Sequence, residues 1–178
     1  MNRIVFALAV SVFALATEHA SAAKSFKVSE FTFTAPEKWE WVETASTMRK
    51  AQLKVTDADK KQNAEVIFFH FGPGNGGGTQ ANVDRWLGQF KEPKDKIGSK
   101  VEDATVKGRK VTYVQAQGTY LSGMPGGPKT EQPDSMLLGA IIESDEGNVF
   151  IRMTGPIALV KSSRGDFTQM VEGAIKSR

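Results

Sequence analysis

The chain has 178 residues, of which 40% are hydrophobic and 24% are charged, and its formal net charge is +3. It contains no cysteine, which excludes a disulfide framework, a thiolate zinc site and a cysteine nucleophile, and its two histidines argue against a multi-histidine metal site. The apolar content is too high for a disordered chain, and the length suits one globular domain.

The first 22 residues have the composition of a secretory signal peptide. Arg3 provides a positive start, residues 4–16 are almost entirely apolar, and Ala20-Ser21-Ala22 is the small-residue pattern that a signal peptidase recognises. The apolar stretch is shorter than the roughly 20 residues that a membrane-spanning helix needs. We therefore predict cleavage of the signal peptide 1–22, export to the bacterial periplasm or out of the cell, and no integral membrane segment after cleavage.

Alternating apolar residues predict strands in the first half of the remaining chain, 23–178, which reads as a single α+β domain. One strand is predicted over 26–35 and another over 51–55. Trp39 and Trp41 lie on one side of an extended segment between them, which favours a place in the core over an exposed platform for a sugar or peptide.

Residues 65–71 are apolar at nearly every position, so both faces of this predicted strand should be covered. A loop over 72–78 follows, rich in glycine. The stretch 79–90 then changes to the spacing of a helix, because its large apolar residues share one stripe: Val83, Trp86, Leu87 and Phe90.

Hairpins dominate the second half. Strands are predicted over 101–106 and 110–121, joined through Lys107-Gly108-Arg109-Lys110, where glycine at the first central position favours a type II′ turn. Residues 122–135 contain three glycines and three prolines and predict an irregular loop. Its length suggests a role in binding.

The end of the chain predicts a further hairpin and a helix. Strands over 136–143 and 149–154 flank the turn 145–148, and the first of them is apolar on both faces. After a short helical turn near Gly155, Asp166 is predicted to cap a last helix. One face of that helix is apolar: Phe167, Met170, Val171, Ala174 and Ile175.

Strands joined by short turns predict a mostly antiparallel sheet of about six to seven strands with helices packed on it. The fold class is therefore α+β. The chain resembles the PsbP/Mog1-like superfamily in Phe31-x-Phe33-x-Ala35-Pro36-x-x-Trp39, in the hairpin 141–153 and in the terminal helix 167–175. This resemblance implies an α/β/α sandwich and a binding or assembly role without catalytic residues. We also predict no cofactor.

The glycine-rich loop is the sharpest local motif. Gly72, Gly74 and Gly77 have the spacing of a dinucleotide-binding loop, but the hairpins that follow are not a βαβ unit, and three adjacent glycines produce the match easily. A phosphate or carboxylate on backbone N–H groups between Gly77 and Gln80 is a more modest alternative. We name as ligand-facing candidates Gly74, Asn75, Gly77, Gly78, Thr79, His70 and Met124.

His70 is the one histidine outside the predicted signal peptide. Its ordinary pKa suits a general base, but no partner for it is readable, so a histidine bonded to the backbone is favoured. Residues 57–59 begin like a calcium loop without its glycine and later glutamate, and we predict no metal. Glu143, Asp145 and Glu146 could supply paired carboxylates for glycoside hydrolysis, although hairpin turns collect acids for ordinary reasons.

Three functions remain open. The favoured hypothesis is an exported, non-enzymatic binding or assembly module for a protein or small-molecule ligand. The alternatives are a cell-envelope hydrolase that uses carboxylates or His70, and a structural envelope protein that associates with itself. The basic residues are dispersed among acidic ones and form no dense stripe, so nucleic acid is not an expected partner.

Overall fold

The computed structural model describes residues 24–59, 61–123 and 126–176, so the predicted signal peptide and Met124 lie outside the described residues. Within these ranges the chain forms nine strands and three α-helices. The elements are β1 (Ser25–Val28), β2 (Phe31–Thr34), β3 (Glu40–Trp41), β4 (Arg49–Thr56), β5 (Asn63–His70), α1 (Thr79–Leu87), β6 (Lys100–Val106), β7 (Arg109–Ser122), β8 (Thr130–Ile142), β9 (Val149–Pro156), α2 (Ile157–Ser162) and α3 (Arg164–Gly173).

Seven of the described strands form one sheet in the order β3-β4-β5-β9-β8-β7-β6, with every neighbouring pair antiparallel. β1 and β2 form a separate antiparallel hairpin. The predicted α+β class and antiparallel sheet are therefore confirmed. Within the described part of the chain, no helix is both long and apolar enough to cross a membrane.

The sheet is covered on both faces, as the doubly apolar strands predicted. The β1–β2 hairpin, α2 and α3 pack on one face, and their core includes Phe33, Phe68 and Val171. On the other face, α1 and the segment after it form a second core with Trp86 and Phe150. Burial of apolar surface on both faces is the main force that holds these layers together. Trp39 is buried, which confirms its predicted place in the core.

The prediction of one strand over 26–35 is wrong, because this stretch is the β1–β2 hairpin. Ser29 turns the chain with a φ of +54°. The apolar positions change parity at this point, from Val28 in β1 to Phe31 in β2, and a two-residue turn between strands causes such a change.

The turn between β6 and β7 also differs from its prediction. Val106 pairs with Arg109, so the two central residues are Lys107 and Gly108. Both have positive φ, 47° and 84°, which is the pattern of a type I′ turn rather than type II′. The predicted turn was one residue out of register, since glycine occupies the second central position.

Half of the predicted irregular loop over 122–135 is strand. β7 continues to Ser122 and β8 begins at Thr130, so the connection is limited to 123–129. Pro133 is tolerated because it lies where the register shifts between Gly118 and Tyr120.

The last helix is not capped as predicted. The residue that precedes α3 is Ser163, no side chain caps the helix, and Asp166 lies in its first turn. An acidic residue there still complements the helix dipole. The predicted apolar face is confirmed, since Phe167, Met170 and Val171 are all buried.

Candidate functional site

His70, the glycine-rich loop and the turn 143–148 lie together at one end of the sheet. β5 ends at His70, whose Nε2–H donates to the Glu146 carbonyl oxygen at 2.9 Å. The ring is therefore bonded to the backbone, as favoured from the sequence. Gly147 is buried against Gly72, and a Cβ at Gly147 would overlap the Gly72 carbonyl. The loop and the turn are thus in direct backbone contact.

Asn82 organises the glycine-rich loop from the first turns of α1. Its side chain is 2% exposed, and its amide N–H groups are shared among the carbonyl oxygens of Gly76, Gly77 and Gly78 at 2.9, 3.4 and 3.0 Å. Sequence reasoning did not single out this asparagine. Its position on the helix stripe, one residue before Val83, was the available indication that it points inward.

The other candidates at this end have partners within the protein. Thr79 donates its hydroxyl to Glu143 Oε1 at 2.9 Å, and the exposed Asn75 donates its side-chain amide to the Pro73 carbonyl at 3.0 Å. Gly74 is exposed and has a φ of +71°. The polar side chains that we predicted to face a ligand therefore fix the conformation of this loop.

The two glycine-rich loops lie at opposite ends of the sheet. Ile142, at the end of β8, pairs with Val149, which pairs with His70. Thr130 begins β8 at its other end, directly after the described residues 126–129 of the connection from β7. β8 has 13 residues, so at about 3.3 Å per residue it separates the two loops by roughly 40 Å. His70 and the connection after β7 therefore do not form one cleft.

A cleft of about 180 Å³ opens between α3 and the strands β6, β7 and β8. Leu138 and Phe167 form its apolar floor, and both are buried, with 5% and 2% of their surface exposed. We call it the α3 cleft. It is lined by Lys100, Glu102, Tyr113, Val114, Gln115, Leu138, Gly139, Arg164, Phe167 and Thr168.

Polar groups surround this apolar floor. Arg164 donates to Gln115 Oε1 at 2.6 Å, and Lys100 forms an ion pair with Glu102 at 2.7 Å. Both cations are exposed, so neither contact contributes much to stability. The rim therefore offers hydrogen-bond donors and acceptors that a ligand can engage by local rearrangement.

Tyr113 forms one wall of the α3 cleft. Its hydroxyl donates to Glu172 Oε1 at 3.3 Å. Burial, and then the negative charge of Glu172, raises the pKa of Tyr113. The phenol is therefore neutral at physiological pH and acts as a hydrogen-bond donor.

The sequence did not reveal the α3 cleft. Gln115 and Arg164 are 49 residues apart and meet only when α3 packs on β7. A periodicity argument could place Gln115 on the same face of its strand as Tyr113, but it could not say which helix covers them. Within the described ranges, no group of three or more histidine, cysteine, aspartate or glutamate residues could hold a metal ion.

Comparison with solved structures shows which known folds this chain is similar to. The chain is similar to cyanobacterial PsbP (CyanoP) of Synechocystis sp. PCC 6803, with a TM-score of 0.54 at 9% identity, over 94% of this chain and 99% of that one. It is also similar to a protein of unknown function from Pseudomonas aeruginosa, with a TM-score of 0.47 at 14% identity, over 88% of this chain and 98% of that one. No family model and no curated protein matches the sequence. The likeness to cyanobacterial PsbP shows a PsbP-like fold, and the fold does not fix the function.

Proposed function

We propose that this chain is an exported binding module whose α3 cleft receives a group from a partner. The observation that carries the proposal is the cleft itself, which joins a buried apolar floor to a polar rim. Concave sites of this composition are where proteins commonly bind ligands. The signal-peptide composition of residues 1–22 supports the export part of the proposal.

The chemistry of the cleft indicates an amphipathic group. Leu138 and Phe167 suit an apolar stem, whereas Gln115, Arg164 and Lys100 suit a polar head that accepts hydrogen bonds. A partner's side chain and a small molecule with a short apolar body both meet this description. None of the residues that line the cleft comes from the connection between β7 and β8.

Filling the cleft tests the binding part. Thr168 is half-buried in the α3 cleft, and Thr168→Trp should occupy the floor. Lys161→Trp is the matched control, because Lys161 is exposed on α2 outside the cleft. Chemical cross-linking in the cell envelope, followed by mass spectrometry, should identify a partner with the wild type and with the control, but not with Thr168→Trp. Retention of every partner by a folded Thr168→Trp chain would contradict the proposal.

Export is tested separately by fractionation and intact mass. We expect the mature protein in the periplasm or the medium, with a mass that corresponds to cleavage after Ala22 or Ala23. A cytoplasmic protein that retains residues 1–22 would overturn this part and leave the binding part standing.

A further inference from the structure

Arg152 is a half-buried cation in the middle of β9 that forms no ion pair with a described carboxylate. One guanidinium N–H donates to Gln89 Oε1 at 2.7 Å. Its Nε is the one described buried side-chain nitrogen or oxygen without a hydrogen-bond partner. Buried charges in proteins are usually paired with an opposite charge. Among the described residues, no ion pair therefore neutralises the charge of Arg152.

Two aromatic rings surround the guanidinium. Its Cζ lies 6.0 Å from the centre of the Phe69 ring and 5.9 Å from that of Tyr120. Such cation–π contacts stabilise an arginine in place without neutralising it. The rings and Gln89 thus orient the side chain and leave its charge available.

A second arginine lies on the same face of the sheet. Arg49 of β4 pairs with Phe69 of β5, and Gln52 pairs with Ile67, which in turn pairs with Arg152. Arg49 donates to Gln52 Oε1 at 2.7 Å and lies 4.0 Å from Glu65. We call the group Arg49, Gln52, Glu65, Phe69, Tyr120 and Arg152 the arginine face.

Tyr120 belongs to this group because its ring centre lies 5.9 Å from Cζ of Arg152. Burial raises the pKa of its hydroxyl, the charges of Arg152 and Arg49 lower it, and Glu65 raises it. All three charged groups therefore lie close enough to act on one phenol. The arginine face carries two positive charges and one negative charge, which leaves one cation in excess.

Solvent reaches the β4–β5 side of the arginine face, whereas Tyr120 and Gln52 are buried, with 5% and 8% of their surface exposed. The second core lies on β7, β8 and β9, with only Phe69 contributing from β5. The side chains of Arg49 and Glu65 are 34% and 50% exposed. Phe71, which stacks beside Phe69 at 6.3 Å between ring centres, is 39% exposed. A small ligand can therefore approach the arginine face from solvent.

We propose that Arg152 and Arg49 form a binding site for an oxyanion, a carboxylate or phosphate group of a ligand. Arginine suits this role because its planar fork donates several hydrogen bonds to such groups. Tyr120 and Gln52 lie beside the arginines, and Glu65 opposes binding by its negative charge. The α3 cleft lies on the other face of the sheet, so this site stands independently of the proposed function.

The proposal is tested by titration with inorganic phosphate and with acetate, followed by NMR. Both should shift the Arg152 Nε–H resonance and the backbone resonances of Phe69 and Tyr120. Sodium chloride at equal ionic strength should not. Whichever of phosphate and acetate binds with the lower dissociation constant identifies the class of oxyanion that the site prefers. Equal responses to all three salts, or no response at these residues at millimolar concentrations, would overturn the proposal.

Variants identify the residues responsible. Arg152→Gln should weaken binding of the tighter probe by about tenfold or more, since hydrogen bonds to charged groups are the strong ones. Lys161→Gln, which removes one positive charge from the opposite face, should leave it within about twofold. Glu65→Gln should tighten binding, because it removes the opposing charge.

Thermal melting shows whether Arg152→Gln folds. If it does not, Arg49→Gln replaces it, because that side chain is more exposed, and weaker binding is again expected. Unchanged binding by the folded arginine variant, or no tightening by Glu65→Gln, would overturn the assignment. Thr168→Trp should bind phosphate as the wild type does, so failure here and failure of the cleft proposal are distinguishable.

Discussion

At the residue scale, Gly139 shows how closely α1 packs on the sheet. The Trp86 ring lies over this glycine, and a Cβ at position 139 would overlap it. Gly139→Ala should therefore destabilise the protein by about 1–3 kcal/mol, because the ring must move within a packed core. Urea denaturation measures this change. Gly173→Ala, where a Cβ would meet open space, is the matched control and should be neutral or slightly stabilising.

Asn82 is a second residue with a large expected effect. Asn82→Ala removes the donor shared by the three loop carbonyls and should cost about 1–3 kcal/mol. Asn75→Ala removes one exposed contact in the same loop and should change stability by less than about 0.5 kcal/mol. Equal losses in denaturation experiments would show that Asn82 does not organise the loop.

At the scale of elements, the β6–β7 turn is strained at one residue. Lys107 has a φ of 47°, a conformation that asparagine tolerates better than lysine. Lys107→Asn should stabilise the protein by about 0.5–1 kcal/mol in thermal or chemical denaturation. Lys107→Ala is the control that removes the charge of the side chain but keeps the strained backbone conformation. It should therefore not raise the stability as Lys107→Asn does.

The carboxylate of Glu92 adds to the backbone hydrogen bonds that attach the segment after α1 to the bend in β7. Glu92 accepts the backbone N–H of Thr119 at 2.9 and 3.1 Å. Hydrogen bonds from Thr119 hold the pKa of Glu92 below its usual value of 4.5. A lowered folded-state pKa means that the unfolded chain takes up the proton more readily. The stabilisation is therefore present above pH 4.5 and is lost as the pH falls through the lowered pKa.

We therefore expect part of the acid sensitivity to come from Glu92. Glu92→Gln should be less stable than the wild type at neutral pH, and the gap should narrow below pH 4.5. Denaturation midpoints measured across this range test the prediction. A gap that stays constant with pH would show that the charge of Glu92 is not involved.

At the scale of the whole molecule, the sequence predicted the strands and helices in which buried residues recur at regular spacing. The strands 51–55, 65–71 and 149–154 and both amphipathic helices were found close to their predicted bounds, whereas the strand predicted over 136–143 begins six residues earlier, at Thr130. The two hairpin errors came from turns, where residues in a left-handed conformation reset the register. The candidate sites were harder to predict, since the α3 cleft and the arginine face each unite residues from distant strands. Periodicity gives the face of each strand but not its neighbours.

Strand order also predicts how stability is distributed. β5, β9 and β8 lie inside the sheet and are covered on both faces, whereas β3 and β6 are the edges. Hydrogen exchange should therefore be slowest in the three inner strands and fastest in β3 and β6. Exchange in β6 as slow as in β9 would contradict this, and would indicate that another chain protects that edge.

The strand order divides the sheet into two meanders, β3-β4-β5 and β6-β7-β8-β9, which touch along the single pair β5–β9. Each meander forms from contacts between chain neighbours, but their junction requires His70 to find Val149 across a long stretch of chain. Closing that loop costs chain entropy before the hydrogen bonds and packing between β5 and β9 can stabilise it. The junction should therefore set the folding rate: substitutions along β5 and β9 slow folding, whereas those in the outer strands mainly speed unfolding.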